Sequence, residues 1–489
     1  MKVFVTGATG FIGRALVLAL QQNDHSVIAW VRDEARARAL LGEDVELLGI
    51  VEGEGALSEA LNSCQGVINL AGEPIFGKRW SKNRREAIIE SRVSLTSRLA
   101  AAIGKAESPP EVFLSGSAVG FYGDRGSEEI NEGSLVGEDF LASVCREWEQ
   151  AALDASSSST RVVCLRTGIV LGQGGGALEA MLPLFRFGLG GPLGNGRQFV
   201  PWIHLEDCIA LILSALHDPG LAGPLNVVGP SPITQKALAS ALGKALRRTS
   251  IFPAPRIALR AILGEAASAL LSGQRCYPRK AEAAGFLFRF QSIESALEDL
   301  VVPHGVDLAL AGPGAPPPQG NSDYLRQRPP RYFLRAKTIV DAPLAEVFDF
   351  FSKPTNLALL TPPKVDFTIH HMEGSMGAGA TIEYRLRVAG FRLGWRSRIE
   401  QWEKEKLFVD SQDRGPYRSW WHEHHFVATG RQTMLEDRVY YSPPMGLLGR
   451  IANRVFIGGQ LKETFHYRAA AVRLRFGDPL PDDTNETSP

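Results

Sequence analysis

Three stretches of the chain combine residue types and spacings that could do chemistry. The first, Thr6-Gly7-Ala8-Thr9-Gly10-Phe11-Ile12-Gly13, sets glycines at every third position. Such glycines allow a tight turn, let backbone approach a pyrophosphate closely and let a new helix pack on the strand before it. The free N–H groups and positive dipole end of that helix would then hold phosphates. The second stretch is Arg32-Asp33, where Arg32 falls 19 residues beyond Gly13. Dinucleotide-binding domains read the ribose there: an acidic side chain binds a free 2′-OH, and an arginine accommodates the 2′-phosphate of NADP. The planar fork of Arg32 favours NADP, and Asp33 keeps NAD open. The third is Trp420-Trp421-His422-Glu423-His424-His425. On a strand His422 and His424 share one face, at a spacing that could bind zinc, but no third ligand is evident, so no metal site is expected.

Phosphate binding at a glycine turn requires a strand before it and a helix after it. Val3-Phe4-Val5 is a short β-branched and aromatic run, and from Phe11 an apolar helical pattern runs through Leu16 and Leu20. A second strand is read in Ser26-Val27-Ile28-Ala29-Trp30-Val31. Gly66-Val67-Ile68-Asn69 is another buried strand. It ends in Ala71 and Gly72, small enough for a cofactor to cross the strand's carboxyl end. Pro109-Pro110 breaks a helix, and Val112-Phe113-Leu114 leads into Ser115-Gly116-Ser117-Ala118-Val119-Gly120-Phe121-Tyr122-Gly123. Strands alternating with helices in this way give an α/β domain around a parallel sheet. Asp207, at a helix start, is expected to satisfy free N–H groups there, and His204 is read as structural.

These residues resemble the extended short-chain dehydrogenase/reductase superfamily, through the glycine turn, Asn69-Leu70-Ala71-Gly72 and the stretch from Ser117 to Gly123. More narrowly, the chain is similar to an atypical branch of epimerase family proteins, of NAD-dependent epimerase/dehydratase type. That likeness rests on Trp148-Glu149, Leu165-Arg166-Thr167-Gly168 and Trp202-Ile203-His204-Leu205-Glu206-Asp207, with a small module at about residues 250–300. The resemblance implies a Rossmann-type doubly wound parallel sheet over residues 1–302. It also implies dinucleotide contact by Thr6, Gly7, Thr9, Gly10, Phe11, Ile12, Gly13, Arg32, Ala71 and Gly72. The implied function is an NADP(H)-dependent oxidoreductase or nucleotide-sugar epimerase-like protein with an unknown small-molecule substrate.

In the wider family a Tyr and a Lys four residues on move the proton, because the Lys and the nicotinamide charge lower the Tyr pKa. A Ser at the end of the preceding strand holds the substrate oxygen. Ser117 occupies that Ser position, but none of the nine tyrosines is followed four residues later by Lys. On the helix expected over residues 138–155, Phe140, Leu141, Val144 and Cys145 stand where the pair should fall. Tyr122, or a side chain from residues 78–85, is then the nearest proton donor in sequence order. Ser117 and Tyr122 are the candidate catalytic residues. The alternative is a sensor that binds NADP(H) or a lipid-like ligand without turnover.

Composition changes at Pro303, and residues 303–330 hold seven prolines with no sustained period, which predicts an exposed linker. A strand is expected over 333–340, then two short helices, a meander of alternating runs such as Ile382-Glu383-Tyr384-Arg385-Leu386-Arg387-Val388, and a closing helix over 446–472. That helix would place Leu447, Ile451, Val455, Leu461 and Phe465 on one face. The order resembles the START/polyketide-cyclase-like (SRPBCC, helix-grip) superfamily over residues 331–475, which implies an α+β domain with a cavity for a hydrophobic ligand. Tyr384, Leu386, Phe391, Trp395 and Trp421 are its candidate lining, and residues 476–489 are expected to be a disordered tail.

The 489 residues are enough for two or three domains, and 44% hydrophobic with 22% charged is an ordinary globular balance. Lys plus Arg and Asp plus Glu both number 53, so no charge footprint argues for nucleic acid or an anionic membrane. Five scattered cysteines without a CxxC pair read as reduced thiols of a cytoplasmic protein. No run reaches the ~18 apolar residues of a membrane span.

Overall fold

The first strand, β1 (Lys2–Thr6), is buried from Val3 onward on both faces, as strands covered by helices on each side must be. Helix α1 (Phe11–Gln22) buries Ala15, Leu16, Val17, Ala19 and Leu20, a helical stripe laid against the sheet. In the computed structural model, which describes residues 1–312, 314–319, 323–388 and 391–478, the chain forms two units, Met1–Val302 and Pro303–Pro489.

In the first unit β1 joins β2 (Ser26–Val31), β3 (Glu46–Gly49), β4 (Gly66–Asn69), β5 (Val112–Ala118), β6 (Arg161–Thr167) and β7 (Gly223–Val227). All neighbours pair in parallel, in the order β3-β2-β1-β4-β5-β6-β7. The order reverses between β1 and β4, which opens a crevice at their carboxyl ends. Thr6 pairs with Asn69, so the glycine turn and the Ala71-Gly72 turn leave the sheet side by side. Helices α2 (Glu34–Leu41), α3 (Phe140–Leu153) and α4 (Leu205–His217) are the others that bear on the site.

The small module packs Ile293, Ala296, Leu297 and Leu300 against Leu238 and Leu242. Asp207 does not cap α4. Its two oxygens accept the N–H groups of Arg289 (2.9 Å) and Phe290 (3.0 Å), tying the module to α4, while His204 Nδ1 accepts Glu206 N–H at 3.1 Å and caps the helix. The five cysteines are all buried and unpaired.

The second unit is an eight-stranded sheet of β8 (Val306–Leu310), β9 (Tyr332–Val340), β10 (Thr368–Glu373), β11 (Thr381–Val388), β12 (Phe391–Glu403), β13 (Leu407–Arg414), β14 (Ser419–Thr429) and β15 (Gln432–Ser442). The order is β8-β9-β15-β14-β13-β12-β11-β10, antiparallel throughout. Helices α5 (Leu344–Phe351) and α6 (Gly458–Phe476) cover one face: Leu461 and Phe465 pack on Trp395 and Trp420, and Val472 and Phe476 pack with Phe348.

Several expectations change here. The proline-rich segment is not a free linker, because Val306–Leu310 pairs with β9 as an edge strand. Beyond it, Ala311, Ala315, Tyr324 and Leu325 pack on the opposite sheet face against Trp421 and Tyr440. Trp421 therefore lies on that covered face, away from Tyr384 and Trp395, and does not line a shared cavity with them. The side chain of Phe391 lies outside the described residues. The closing helix is interrupted by a π-turn over Asn453–Ile457, which re-phases it. Leu447, Ile451 and Val455 are consequently exposed while Leu461 and Phe465 are buried. Of the expected tail, residues 479–489 lie outside the described residues, and Phe476 ends α6.

Candidate functional site

At the glycine turn Gly7 has φ +70°, and a Cβ there would meet the Leu70 carbonyl carbon at 2.7 Å. A Cβ on Gly13 would sit 2.1 Å from the Gly7 carbonyl oxygen. Both positions exclude any side chain. Gly10 is the N-cap of α1 and supplies no side-chain cap, and the first turn holds no acidic residue. That end of the helix is left positive and uncapped. Thr9 and Ile12 are half-buried beside it.

Thr6 and Phe11 also fix the turn from within the fold. The Thr6 hydroxyl donates to Asn69 Oδ1 (2.6 Å) and accepts from Ala71 N–H (3.2 Å), pinning the two turns together. The Phe11 ring fills the space over Gly172, Gly175 and Gly176, where a Cβ would lie 2.8, 2.6 and 2.9 Å from it. Thr6 and Phe11 position the turn through packing and hydrogen bonds of their own side chains. Arg14, on the first turn of α1, and Gln173 each keep a buried N–H with no partner among the described residues. Buried donors of this kind normally find an acceptor, so the residues present fit a phosphate-bearing group.

At the end of β2, Arg32 and Asp33 are both exposed, but Asp33 is already used: its carboxylate accepts Arg36 N–H at 2.9 Å and caps α2. Arg32 carries no such local commitment, and its charge reaches Glu73. The Glu73 carboxyl is held below its usual range, mainly by a hydrogen bond from Arg84 (2.6 Å) and to a smaller degree by Arg32 and Lys78. Sequence reasoning missed Arg92. Its guanidinium lies over Gly72, 3.1 Å from where a Cβ would stand, and also over the Trp148 ring at 5.2 Å. A cation beside a turn that must stay small was legible only as one more charge in a basic stretch.

Ser117 and Tyr122 sit inside a closed network. The Ser117 hydroxyl donates to Glu149 Oε1 at 2.7 Å. Arg166 grips both oxygens of Glu149, each at 2.8 Å, and donates to the Tyr122 hydroxyl at 2.9 Å. Tyr122 donates in turn to Asn226 Oδ1 at 2.6 Å. Tyr122 is 0% exposed, and burial raises its phenol well above the ordinary value. That is opposite to the shift an acid or base working near neutrality needs. Leu141 and Cys145 of α3 lie against Gly120, where the family's pair would project, and burial pushes the Cys145 thiol up to about 12, with Glu149 adding to it. Of the five cations in residues 78–85, the three arginines are engaged: Arg79 donates to the carbonyls of Ala261 and Ile262, Arg84 pairs with Glu73, and Arg85 pairs with Glu265.

The second unit buries a polar cluster on its helix-covered face. His422 and His424 of β14 lie with centroids 3.8 Å apart and ring planes tilted by 38°, between Asp410 of β13 and Asp437 of β15. His422 turns Nδ1 to Asp410 (3.6 Å) and Nε2 to Asp437 (2.9 Å). His424 turns Nε2 to Asp410 (3.1 Å) and Nδ1 to Asp437 (3.0 Å). Arg468 of α6 lies 3.3 Å from Asp437 and 3.0 Å from His424 Nδ1. Burial, and then the neighbouring His424, push His422 down to about 4, so it is neutral near pH 7. Burial alone would raise the Asp437 carboxyl, but Arg468 and the imidazoles outweigh it and hold it well below the carboxylate range.

A doubly wound parallel sheet with an uncapped glycine turn at its switch point defines an α/β dinucleotide-binding fold. The NAD dependent epimerase/dehydratase family matches residues 3–228, and a domain of unknown function (DUF1731) matches residues 254–300. The chain is 41% identical over 306 residues to the chloroplastic epimerase family protein SDR39U1 homolog of Arabidopsis thaliana, covering 62% of this chain and 87% of that protein. It is 37% identical over 305 residues to the human epimerase family protein SDR39U1, covering 62% and 100%. The crystal structure of human SDR39U1 (isoform2) with NADPH superposes with a TM-score of 0.56 at 36% identity, covering 61% of this chain and 99% of that one. The chain belongs to the NAD dependent epimerase/dehydratase family, with a DUF1731 module closing its first unit. Among the described residues no helix is long and apolar enough to cross a membrane.

Proposed function

We propose that the first unit binds NADP(H) on the N-terminus of α1, with Arg32 receiving the 2′-phosphate, and that it moves no proton through Ser117 or Tyr122. The single observation that carries the cofactor choice is the Asp33 cap, which withdraws the acidic side chain and leaves Arg32 beyond the strand end. The human relative, crystallised with NADPH, supports the same choice. Equilibrium binding of NADPH and NADH to wild type and Arg32→Asp tests it. NADPH affinity is expected to fall roughly 10–100-fold in the variant while NADH binding holds, as for loss of a charged hydrogen-bonding group. Equal affinities of both cofactors for both proteins would refute the assignment.

An oxidoreductase or epimerase-like turnover on a small molecule is the second reading, favoured by family membership across the whole first unit. Its proton would come from a group outside the Ser117–Tyr122 network. For the second unit we infer a START/polyketide-cyclase-like ligand-binding domain, supported by the order of strand, short helices, antiparallel meander and long helix. A cleft of about 320 Å³ is lined mainly by His370, Glu383, Arg385, Arg396 and Arg414, with Tyr384 and Trp395 beside them, a lining that suits a polar or charged small ligand more than an apolar one.

A further inference from the structure

Three groups in the second unit aim at one point. Asp410, His422 and His424 each offer one ligand atom, and all three atoms lie within 4.8 Å of one another. From the Asp410 oxygen the nearest imidazole nitrogens are 3.1 Å (His424 Nε2) and 3.6 Å (His422 Nδ1) away. Ligand atoms about 2.0–2.2 Å from one tetrahedral ion stand roughly 3.3 Å apart. We propose that Asp410, His422 and His424 form a three-ligand site for a divalent first-row transition-metal ion of the class that imidazole and carboxylate bind, iron(II) or zinc.

The surroundings distinguish the two carboxylates. Each imidazole presents opposite nitrogens to Asp410 and Asp437, so the cluster has two sides. On one side Asp437 is neutralised by Arg468 and lies within hydrogen-bond reach of both distal imidazole nitrogens. A hydrogen on His422 Nε2, toward Asp437, leaves Nδ1 as a lone pair facing Asp410, which is how a carboxylate orients a metal-binding histidine. On His424 the Arg468 guanidinium stands 3.0 Å from Nδ1, so an ion at Nε2 requires Arg468 to give up that contact and the imidazole hydrogen to sit on Nδ1 toward Asp437. On the other side Asp410 has no Lys or Arg partner among the described residues. Its second oxygen accepts from Ser397 at 3.3 Å, and Ser397 is held by Trp395 Nε1 (3.1 Å) and touches the Tyr384 hydroxyl (3.2 Å).

The charges agree with this geometry. Two carboxylates, one guanidinium and two imidazoles share a buried, aromatic-walled space, and a cation seated between Asp410 and the imidazoles would pair with the carboxylate that lacks an arginine or lysine partner among the described residues. Three protein ligands would leave positions open on the ion. Tyr384, Trp395 and Ser397 form a hydrogen-bonded run that ends on the ligand carboxylate, on the sheet face that the helices cover. A hydrogen on His424 Nε2, with Arg468 donating to Nδ1, would satisfy Asp410 without an ion, and that is the rival arrangement.

The experiment uses the full chain. Metal content is measured by elemental analysis after growth with iron and zinc supplied, and cobalt(II) is titrated into metal-stripped protein while its visible absorption is followed. The expected result is one ion per chain and a saturable cobalt band in wild type, both lost in Asp410→Asn and in His422→Gln. Asp437→Asn, which keeps all three ligands, should weaken cobalt binding roughly 10–100-fold. NADPH binding and circular dichroism report whether each variant is folded. Should a ligand variant fail to fold, the wild-type stoichiometry and the Asp437→Asn shift still decide. Metal-free wild type with no cobalt band would overturn the site and assign the rival hydrogen-bonded form. Undiminished binding in folded Asp410→Asn and His422→Gln would place the ion elsewhere and overturn it equally.

Discussion

Each unit buries a charged network, and the two are built to different ends. In the first, Glu149 and Arg166 cancel, and Ser117, Tyr122 and Asn226 use the remaining donors and acceptors within 2.6–2.9 Å. In the second, two carboxylates meet one guanidinium and two imidazoles whose nitrogens face both ways. Balance and full pairing make the first a brace between β5, β6, β7 and α3. In the second, Asp410 and two imidazole nitrogens converge on one point, the arrangement on which the proposed metal site rests. Ser117, at the family's serine position, and Tyr122 thus stand in the brace, and the convergent His–Asp cluster stands in the unit that the epimerase family does not cover.

Breaking the brace is expected to give the largest effect. Arg166→Met strands Glu149 in the interior and should destabilise the first unit by about 3–5 kcal/mol in denaturant unfolding, whereas Glu149→Leu with Arg166→Met should recover most of it. A single variant losing under about 1 kcal/mol would mean the pair is solvated and the contrast false. Tyr122→Phe comes next, at about 1–2 kcal/mol. The folded phenol is raised above its unfolded pKa of about 10, so its contribution is fully present below pH 10 and is lost as pH rises beyond it. Stability measured from pH 9 to 11 should therefore fall more steeply in wild type than in Tyr122→Phe, and parallel curves would count against a buried neutral phenol. Ser117→Ala should be mildest, about 1 kcal/mol, with NADPH binding and any carbonyl-dependent NADPH oxidation unchanged. Oxidation abolished by this change would return Ser117 to the chemistry.

What the sequence made legible follows the range of the interactions involved. The glycine turn, β1, α1 and the Arg32 position are set by neighbours in the chain, and the residues alone locate them. The partners of Ser117 and Tyr122 are not local: Glu149 and Asn226 lie 32 and 104 residues away. The sequence therefore sets Ser117 and Tyr122 in a family motif without showing what either one bonds to. The place of Asp410 beside the two histidines is not legible for a similar reason, since only the pairing of β13 with β14 sets it opposite His422. The π-turn at Asn453–Ile457 shifts a helical face by a fraction of a turn, which no apolar spacing announces.

The strand hidden among prolines changes where this protein can be divided. Val306–Leu310 shields the outer edge of β9, Gln319 N–H donates to the fully buried Glu423 at 2.6 Å, and the Tyr440 hydroxyl donates to the Pro316 carbonyl at 2.8 Å. A fragment begun at residue 331, where composition invites the cut, would bare a nine-residue edge strand and the Trp421–Tyr440 surface. Exposed strands of that length recruit one another. The proline-rich run is thus a lid over a sticky edge, and the natural seam of the chain falls at its beginning, between Val302 and Pro303.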